Sequence, residues 1–260
     1  MRPADPDLQR AWPVLTGVRQ QQPVVHCITA AVSMGIVADG LLAAGARPMM
    51  TETVAEAPVV TEAADALLVN LGTLSTEATA AIPATVEVTS RAGRPWVLDP
   101  TAIGRAPVRT PLARRLLRER PAVVRGNASE LLALAGESDG GRGADSVAAP
   151  HEAARAGERV AERTGGAVAV SGAVDLVVSG QQRAELDLGT PLLTRVTGTG
   201  CLLAALTAAC AAVTQDHFDA ALAASTWMAL AGEQAAAVAP RPGSFRAALL
   251  DALGEVADER

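Results

Sequence analysis

Val196-Thr197-Gly198-Thr199-Gly200-Cys201, followed at once by the apolar run Leu202 to Val213, reads as a glycine turn that delivers the chain into a buried helix. Two glycines separated by one small hydroxyl residue let the backbone come close to a ligand. The helix behind them turns its free N–H groups and the positive end of its dipole toward the same spot. The stretch therefore predicts an anion hole. Cys201 sits at its rim, where a helix N-terminus favours thiolate over thiol, and the combination points to chemistry on phosphate.

Upstream of this stretch, short apolar runs rich in β-branched residues end in polar or glycine punctuation: Val24 to Cys27, Ala66 to Leu71, Trp96 to Leu98, Ala122 to Val124 and Ala167 to Val170. Between them lie stretches with helical spacing, at Val32 to Ala44, Thr76 to Ala92, Pro111 to Arg118 and Glu152 to Arg163. Strand and helix alternate, which predicts an α/β fold with a mostly parallel sheet covered on both faces. Ala167–Val170 and Leu176–Val178 form a predicted hairpin near the sheet edge, and the glycine-rich stretch Gly136 to Pro150 reads as a mobile loop. After Gly200 the chain reads as helix throughout, over Leu202–Val213, Phe218–Val238 and Phe245–Val256.

A chain of 260 residues that is 49% hydrophobic can bury one large core, and nothing in it resembles an interdomain linker, so one domain over 1–260 is expected. The apolar mass is mostly Ala, Val and Leu, with no Tyr, two Phe and three Trp. Packing must then rely on the close approach of small residues, and base stacking with nucleic acid is not expected. A net charge of −6 with both signs scattered argues in the same direction and against an anionic membrane surface. All 22 basic residues are arginine. With no lysine, a P-loop lysine and Schiff-base or pyridoxal-phosphate chemistry are excluded, so any phosphate is held by arginine, backbone or metal. The three cysteines lack metal-ligand spacing and fit a reducing, cytoplasmic setting. No signal-peptide core and no run of about 20 uncharged apolar residues is present, so a soluble protein is expected.

In open α/β sheets ligands bind beyond the carboxyl ends of the strands. The polar residues there are Thr29, Asn70, Gly72, Asp99, Arg125 to Glu130, Ser171 and Gly172. Asp99, fixed by Pro100 behind it, is suited to holding Mg²⁺ through water or to starting a turn. Arg125 can neutralise a phosphate. Glu130 can serve Mg²⁺, and Asn127 with Glu130 three residues on is also a capping-box pattern. Cys201 is a small helix residue or a proton acceptor; an ordinary thiol is only a few per cent ionised near neutral pH, so low turnover is expected of it. Cys27 and Cys210 read as packing residues, His26 as a hydrogen-bonded strand-end histidine, and Asp175 as a turn residue. Met49 and Met50 at a strand end can line an apolar pocket or fill the core.

His26-Cys27-Ile28-Thr29, Gly45 to Met50, Asn70-Leu71-Gly72-Thr73-Leu74, Leu98-Asp99-Pro100, Arg125 to Glu130, Ser171 to Asp175 and Val196 to Cys201 together resemble the hydroxyethylthiazole kinase family, in order and from about Pro23 to Leu253. The resemblance implies a ribokinase-like three-layer α/β fold and phosphorylation of a thiazole alcohol in thiamine biosynthesis or salvage, dependent on ATP and Mg²⁺. It implies that Arg125, Ser171, Thr197 and Gly198 bind ATP, and that Met50, Gly198 and Gly200 bind substrate. Asp99 and Glu130 resemble the acidic pair that organises magnesium, and Cys201 matches the proton acceptor. A homotrimer with the thiazole pocket at a subunit interface is implied as well.

The chain departs from the family pattern at Ala30, Gly35 and Asp39, where asparagine is usual, and at Arg47, where a small residue is usual. Thr101-Ala102-Ile103-Gly104-Arg105 replaces the usual Val-Gly-Val-Gly-Ala. These changes are expected to gather on the alcohol-binding side. They leave two alternatives open: a kinase of another small heterocyclic alcohol, such as a pyrimidine or pyridine methanol, or a weakly catalytic nucleotide- or thiazole-binding regulator.

Overall fold

The computed structural model describes residues 6–137 and 150–256. Helix α1 (Pro6–Gln21) leads into β1 (Val24–Ile28), followed by α2 (Met34–Ala43), the edge strand β2 (Arg47–Met49) and the short α3 (Ala57–Thr61). Three further units repeat the alternation: β3 (Ala66–Asn70) with α4 (Thr76–Arg91), β4 (Trp96–Asp99) with α5 (Arg109–Leu116), and β5 (Val123–Asn127) with α6 (Ala128–Ala135). Helix α7 (Pro150–Thr164) precedes β6 (Ala167–Ser171), β7 (Asp175–Ser179) and β8 (Gln182–Leu186). The chain ends in α8 (Thr199–Val213), α9 (His217–Val238) and α10 (Pro242–Val256).

The eight strands form one sheet in the order β2-β1-β3-β4-β5-β6-β7-β8. Strands β1 to β6 run parallel, each joined to the next through a helix-containing crossover. The links from β6 to β7 and β7 to β8 are too short for a crossover, so those strands pair antiparallel, with Ala169 opposite Val177 and Val177 opposite Ala184. The predicted hairpin is therefore present, extended by β8.

Buried apolar residues fall into two clusters, one on each face of the sheet. The first gathers α1, α2, α8, α9 and α10; the second gathers α3 to α7. This is the predicted three-layer α/β arrangement. Helix α8 is apolar around its circumference because it lies between the sheet and outer helices, with Leu202 and Leu206 fully buried. Each such leucine contributes about 1.5–3 kcal/mol. Small residues make the approach possible: a Cβ on Gly40 of α2 would lie 2.3 Å from the Leu202 side chain.

Helices α1 and α3 and strand β8 go beyond the expected elements, and β2 supplies the strand end expected at Met49 and Met50. Helix α8 also starts three residues before the expected Leu202, which places Cys201 inside its first turn. Of the expected mobile loop Gly136 to Pro150, residues 138–149 lie outside the described residues; Gly136 closes α6 in the left-handed region at φ +89°.

Candidate active site

Parallel pairing brings the carboxyl ends of the central strands to one rim, with Asn70 opposite Asp99 and Asn127 opposite Ser171. Helix α8 begins over this rim. Gly198, its N-cap, has φ +94° and offers no side-chain cap, so the first N–H groups of the helix stay open. A Cβ at Gly198 would meet Ile36 at 2.6 Å and Ser33 at 3.2 Å, so the turn needs glycine for both space and backbone angle. A Cβ at Gly200 would lie 2.8 Å from Nη1 of Arg125. The guanidinium therefore sits directly at the mouth of the uncapped helix. The Arg125 side chain donates from Nη2 to Ser171 Oγ at 2.8 Å and approaches Asp99 Oδ2 with Nη1 at 3.5 Å.

Asp99 is fully buried, its Oδ1 accepting from Thr101 Oγ1 at 2.7 Å, while Oδ2 takes no hydrogen bond and faces only the longer contact to Arg125. Glu130 completes the capping box of α6: its amide donates to Asn127 Oδ1 and its Oε2 accepts from the Asn127 amide, both at 2.9 Å. Oε1 also accepts from the Ala102 amide at 2.8 Å, where φ is +57°. Burial pushes both carboxyls above the ordinary range, and for Glu130 the charge of Asp99 adds to the rise; Arg125 opposes it in both. Two carboxylates thus face one guanidinium, an excess negative charge that suits a cation. Among the described residues no group of three His, Cys, Asp or Glu is placed to hold a metal. The residues fit a Mg²⁺ held by few carboxylates, with water and phosphate completing its shell, which is how that ion is usually bound.

Cys201 is 9% exposed, and Asn70 Nδ2 donates to its Sγ at 3.4 Å. The expectation that the helix end would favour thiolate is overturned. Burial pushes the thiol up, and the Asp99 charge pushes it further, outweighing the help from Ser33, Arg125 and Asn70. Cys27 and Cys210 are buried packing residues as expected.

Ser171, Thr197, Gly198, Gly200, Asp99, Arg125, Glu130 and Cys201 are thus placed on or around one rim. Met50, just past the edge strand β2, packs partly buried against the core with β1 between its strand and that of Asn70. His26 is fully buried on β1, donating from Nε2 to Thr51 O at 2.9 Å, with burial holding it below the ordinary histidine range. Asp175 accepts from the Gly172 amide at 2.9 Å, the expected turn contact. A cavity of about 590 Å³ between the starts of α4 and α5, lined by Leu74, Thr76 and Val108 among others, contains none of the candidate residues.

The departures do not gather on one side. Arg47 lies opposite Val24 at the amino end of β2 and donates to Gln22 Oε1 at 2.6 Å, at the far end of the sheet from the rim. Asp39 is exposed on α2. Ala30, 3.0 Å from a Cβ built on Gly72, and Thr101 are the departures beside Asn70 and Asp99. Ser33 and the Ala102 amide were missed as site residues because each acts through tertiary approach from a loop, with no spacing signal.

The Hydroxyethylthiazole kinase family profile matches residues 15–259. A hydroxyethylthiazole kinase of Cronobacter sakazakii is 46% identical over 94% of this chain and 92% of its own. That of Kineococcus radiotolerans is 48% identical over 96% of this chain and 90% of its own. The solved hydroxyethylthiazole kinase of Pyrococcus horikoshii superposes with a TM-score of 0.87 at 36% identity, covering 95% of this chain and 93% of that one. A Bacillus subtilis pyridoxal kinase, at 15% identity and a TM-score of 0.63, covering 82% of this chain and 92% of its own, shares the fold. On the match of profile, sequence and structure over nearly its whole length, the chain belongs to the hydroxyethylthiazole kinase family.

Proposed function

We propose that one kinase domain, spanning 1–260, transfers the γ-phosphoryl group of ATP to the hydroxyl of 4-methyl-5-(2-hydroxyethyl)thiazole, a step of thiamine biosynthesis or salvage. The observation that carries this reading is the Arg125 guanidinium standing 2.8 Å from the place of a Cβ on Gly200, at the open end of α8. A cationic fork and a row of free amides converge where phosphate charge has to be stabilised.

In this reading Arg125 and Ser171 engage ATP, the Thr197–Gly198 turn holds the transferring phosphoryl group, and Met50, Gly198 and Gly200 border the alcohol. Asp99 and Glu130 would hold Mg²⁺, which supplies charge neutralisation to the phosphates when bound. Cys201 takes the hydroxyl proton as the alcohol oxygen forms its bond to the γ-phosphorus; the bond to the ADP oxygen breaks, and the thiol proton then passes to solvent. Because the thiol is pushed up, the thiolate is scarce near neutral pH. Positioning and electrostatic stabilisation, as expected for a loose phosphoryl-transfer transition state, carry most of the acceleration.

The reading includes a cytoplasmic homotrimer with the alcohol pocket at the subunit interface. Its support is that Val32 and Val54, in the segments that follow β1 and β2, and Val59 on α3 are apolar and exposed. Sedimentation at a trimer mass checks it. The activity is tested by product analysis after incubation with Mg-ATP and a panel of the thiazole alcohol, a pyrimidine methanol and a pyridine methanol. Phosphorylated thiazole alone is expected. Turnover of only the other alcohols, or ligand binding with no product, would overturn the assignment.

A further inference from the structure

Strand β3 ends at Asn70, whose side chain is 1% exposed, and every polar hydrogen of its amide has a definite destination. Oδ1 accepts from the Gly72 amide at 2.8 Å, which leaves the NH₂ group facing the other way. There Nδ2 donates to Thr101 Oγ1 at 2.9 Å and to Cys201 Sγ at 3.4 Å. Thr101 in turn gives its own hydroxyl hydrogen to Asp99 Oδ1, so its oxygen can only accept from Asn70. The donor direction is therefore fixed along the whole chain of contacts. Gly72 is part of the arrangement, since a Cβ there would press on Asn70 Oδ1 at 2.9 Å.

The consequence for the sulfur is directional. One lone pair of Sγ is occupied by a buried, rigid N–H donor, so the atom is held as an acceptor with a defined orientation about its Cα–Cβ bond. Ser33 also hydrogen-bonds the sulfur, so without the Asn70 donor the side chain keeps that one partner and its staggered rotamer is less strictly selected. We propose that Asn70 is a positioning residue of the phosphoryl transfer, its amide fixing the Cys201 sulfur so that a free lone pair of the thiolate faces the incoming hydroxyl. This rests on the reading of Cys201 as the proton acceptor. Capping the turn at Gly72 uses Oδ1 alone and leaves the donor to sulfur unexplained.

A double-mutant cycle separates the two roles. Asn70→Ala and the isosteric Asn70→Asp, which keeps the acceptor for Gly72 but removes the donor to sulfur, are each made in the wild-type and Cys201→Ala backgrounds. Steady-state kcat and both KM values are measured with Mg-ATP and the thiazole alcohol. In the wild-type background each Asn70 variant is expected to lower kcat about tenfold or more, the scale of one lost hydrogen bond to a charged group, with both KM values within about twofold. In the Cys201→Ala background the same changes are expected to cost less than about twofold, because the group they act through is gone. Equal losses in both backgrounds, or none in the wild type, would overturn the proposal and leave Asn70 a turn residue. Full activity of Cys201→Ala alone sinks the proton-acceptor reading itself, a separate outcome. Should Asn70→Ala not fold, Asn70→Asp completes the cycle.

Discussion

At the scale of single residues, Cys201 shows how far side-chain chemistry can be read from sequence. Its setting at a helix N-terminus was legible from Gly198 and Gly200. Its ionisation was not, because it is governed by burial and by the charge of Asp99, a hundred residues away. A thiol pushed up makes a distinct prediction. Cys27 is fully buried and pushed up to about 12, and Cys210 is buried and pushed up as well, so the first equivalent of iodoacetamide reports Cys201. Its alkylation rate is expected to stay low at pH 7 and to climb only above the ordinary thiol range. A plateau below pH 8 would show that the helix end prevails after all. Activity follows the same chemistry: Cys201→Asp, an acid whose ordinary range lies well below that of a thiol, is expected to retain or raise kcat, while Cys201→Ala lowers it, and equal kcat of the three proteins would remove the assigned role. Glu130 carries the other residue-scale lesson. Its capping-box pattern was visible as a spacing, and the contact to the Ala102 amide was not, since that depends on where a loop after β4 settles.

Elements were legible in proportion to how completely they are buried. Strands β1, β3, β4, β5 and β6 read clearly because both of their faces are covered, giving continuous apolar runs. The strand β2 has three residues on an open edge, and β8 alternates exposed and buried positions through Gln182-Arg183-Ala184-Glu185-Leu186, so neither presents such a run. Helix α1 was hidden by a polar sequence, although Leu8, Ala11, Val14, Leu15 and Val18 form its buried stripe. The start of α8 concentrates function in an element, and Gly200→Ala tests it. Alanine in a helix is favoured over glycine by up to about 1 kcal/mol, and the Cβ would meet the flexible end of Arg125 rather than backbone. The melting temperature is therefore expected to hold or rise. The displaced guanidinium is expected to lower kcat/KM for ATP about tenfold or more, the scale of a weakened charge-assisted contact. Unchanged ATP kinetics would place Arg125 outside the phosphate site.

For the whole molecule, the rim is a place where stability and activity pull apart. A parallel sheet with helices on both faces leaves its strand ends as the place where polar groups gather, and there the chain packs the buried Asp99 and Glu130 against a largely covered Arg125. The upward displacement of the Asp99 carboxyl means that burial outweighs Arg125 and the hydroxyl of Thr101, so its ionised form is net unfavourable in the fold. The sign follows by linkage. With the folded value above the unfolded one, Asp99 favours the folded state below its unfolded value near 4, and that contribution is lost as pH rises through the folded value. At neutral pH the molecule therefore bears the cost of the charge. Asp99→Asn, which keeps the shape and a partner for Thr101, is expected to melt higher than the wild type at pH 7.5 in metal-free buffer. A gain of about 1 kcal/mol corresponds to about 2–4 °C in a protein of this size. The gap is expected to narrow as pH falls and the wild-type carboxyl takes up its proton, while kinase activity is lost at every pH. Calorimetry of both proteins from pH 5 to 8 checks the trend. A lower melting temperature for Asp99→Asn throughout would mean that the ion pair with Arg125 holds the rim together, and that the cluster is structural before it is catalytic.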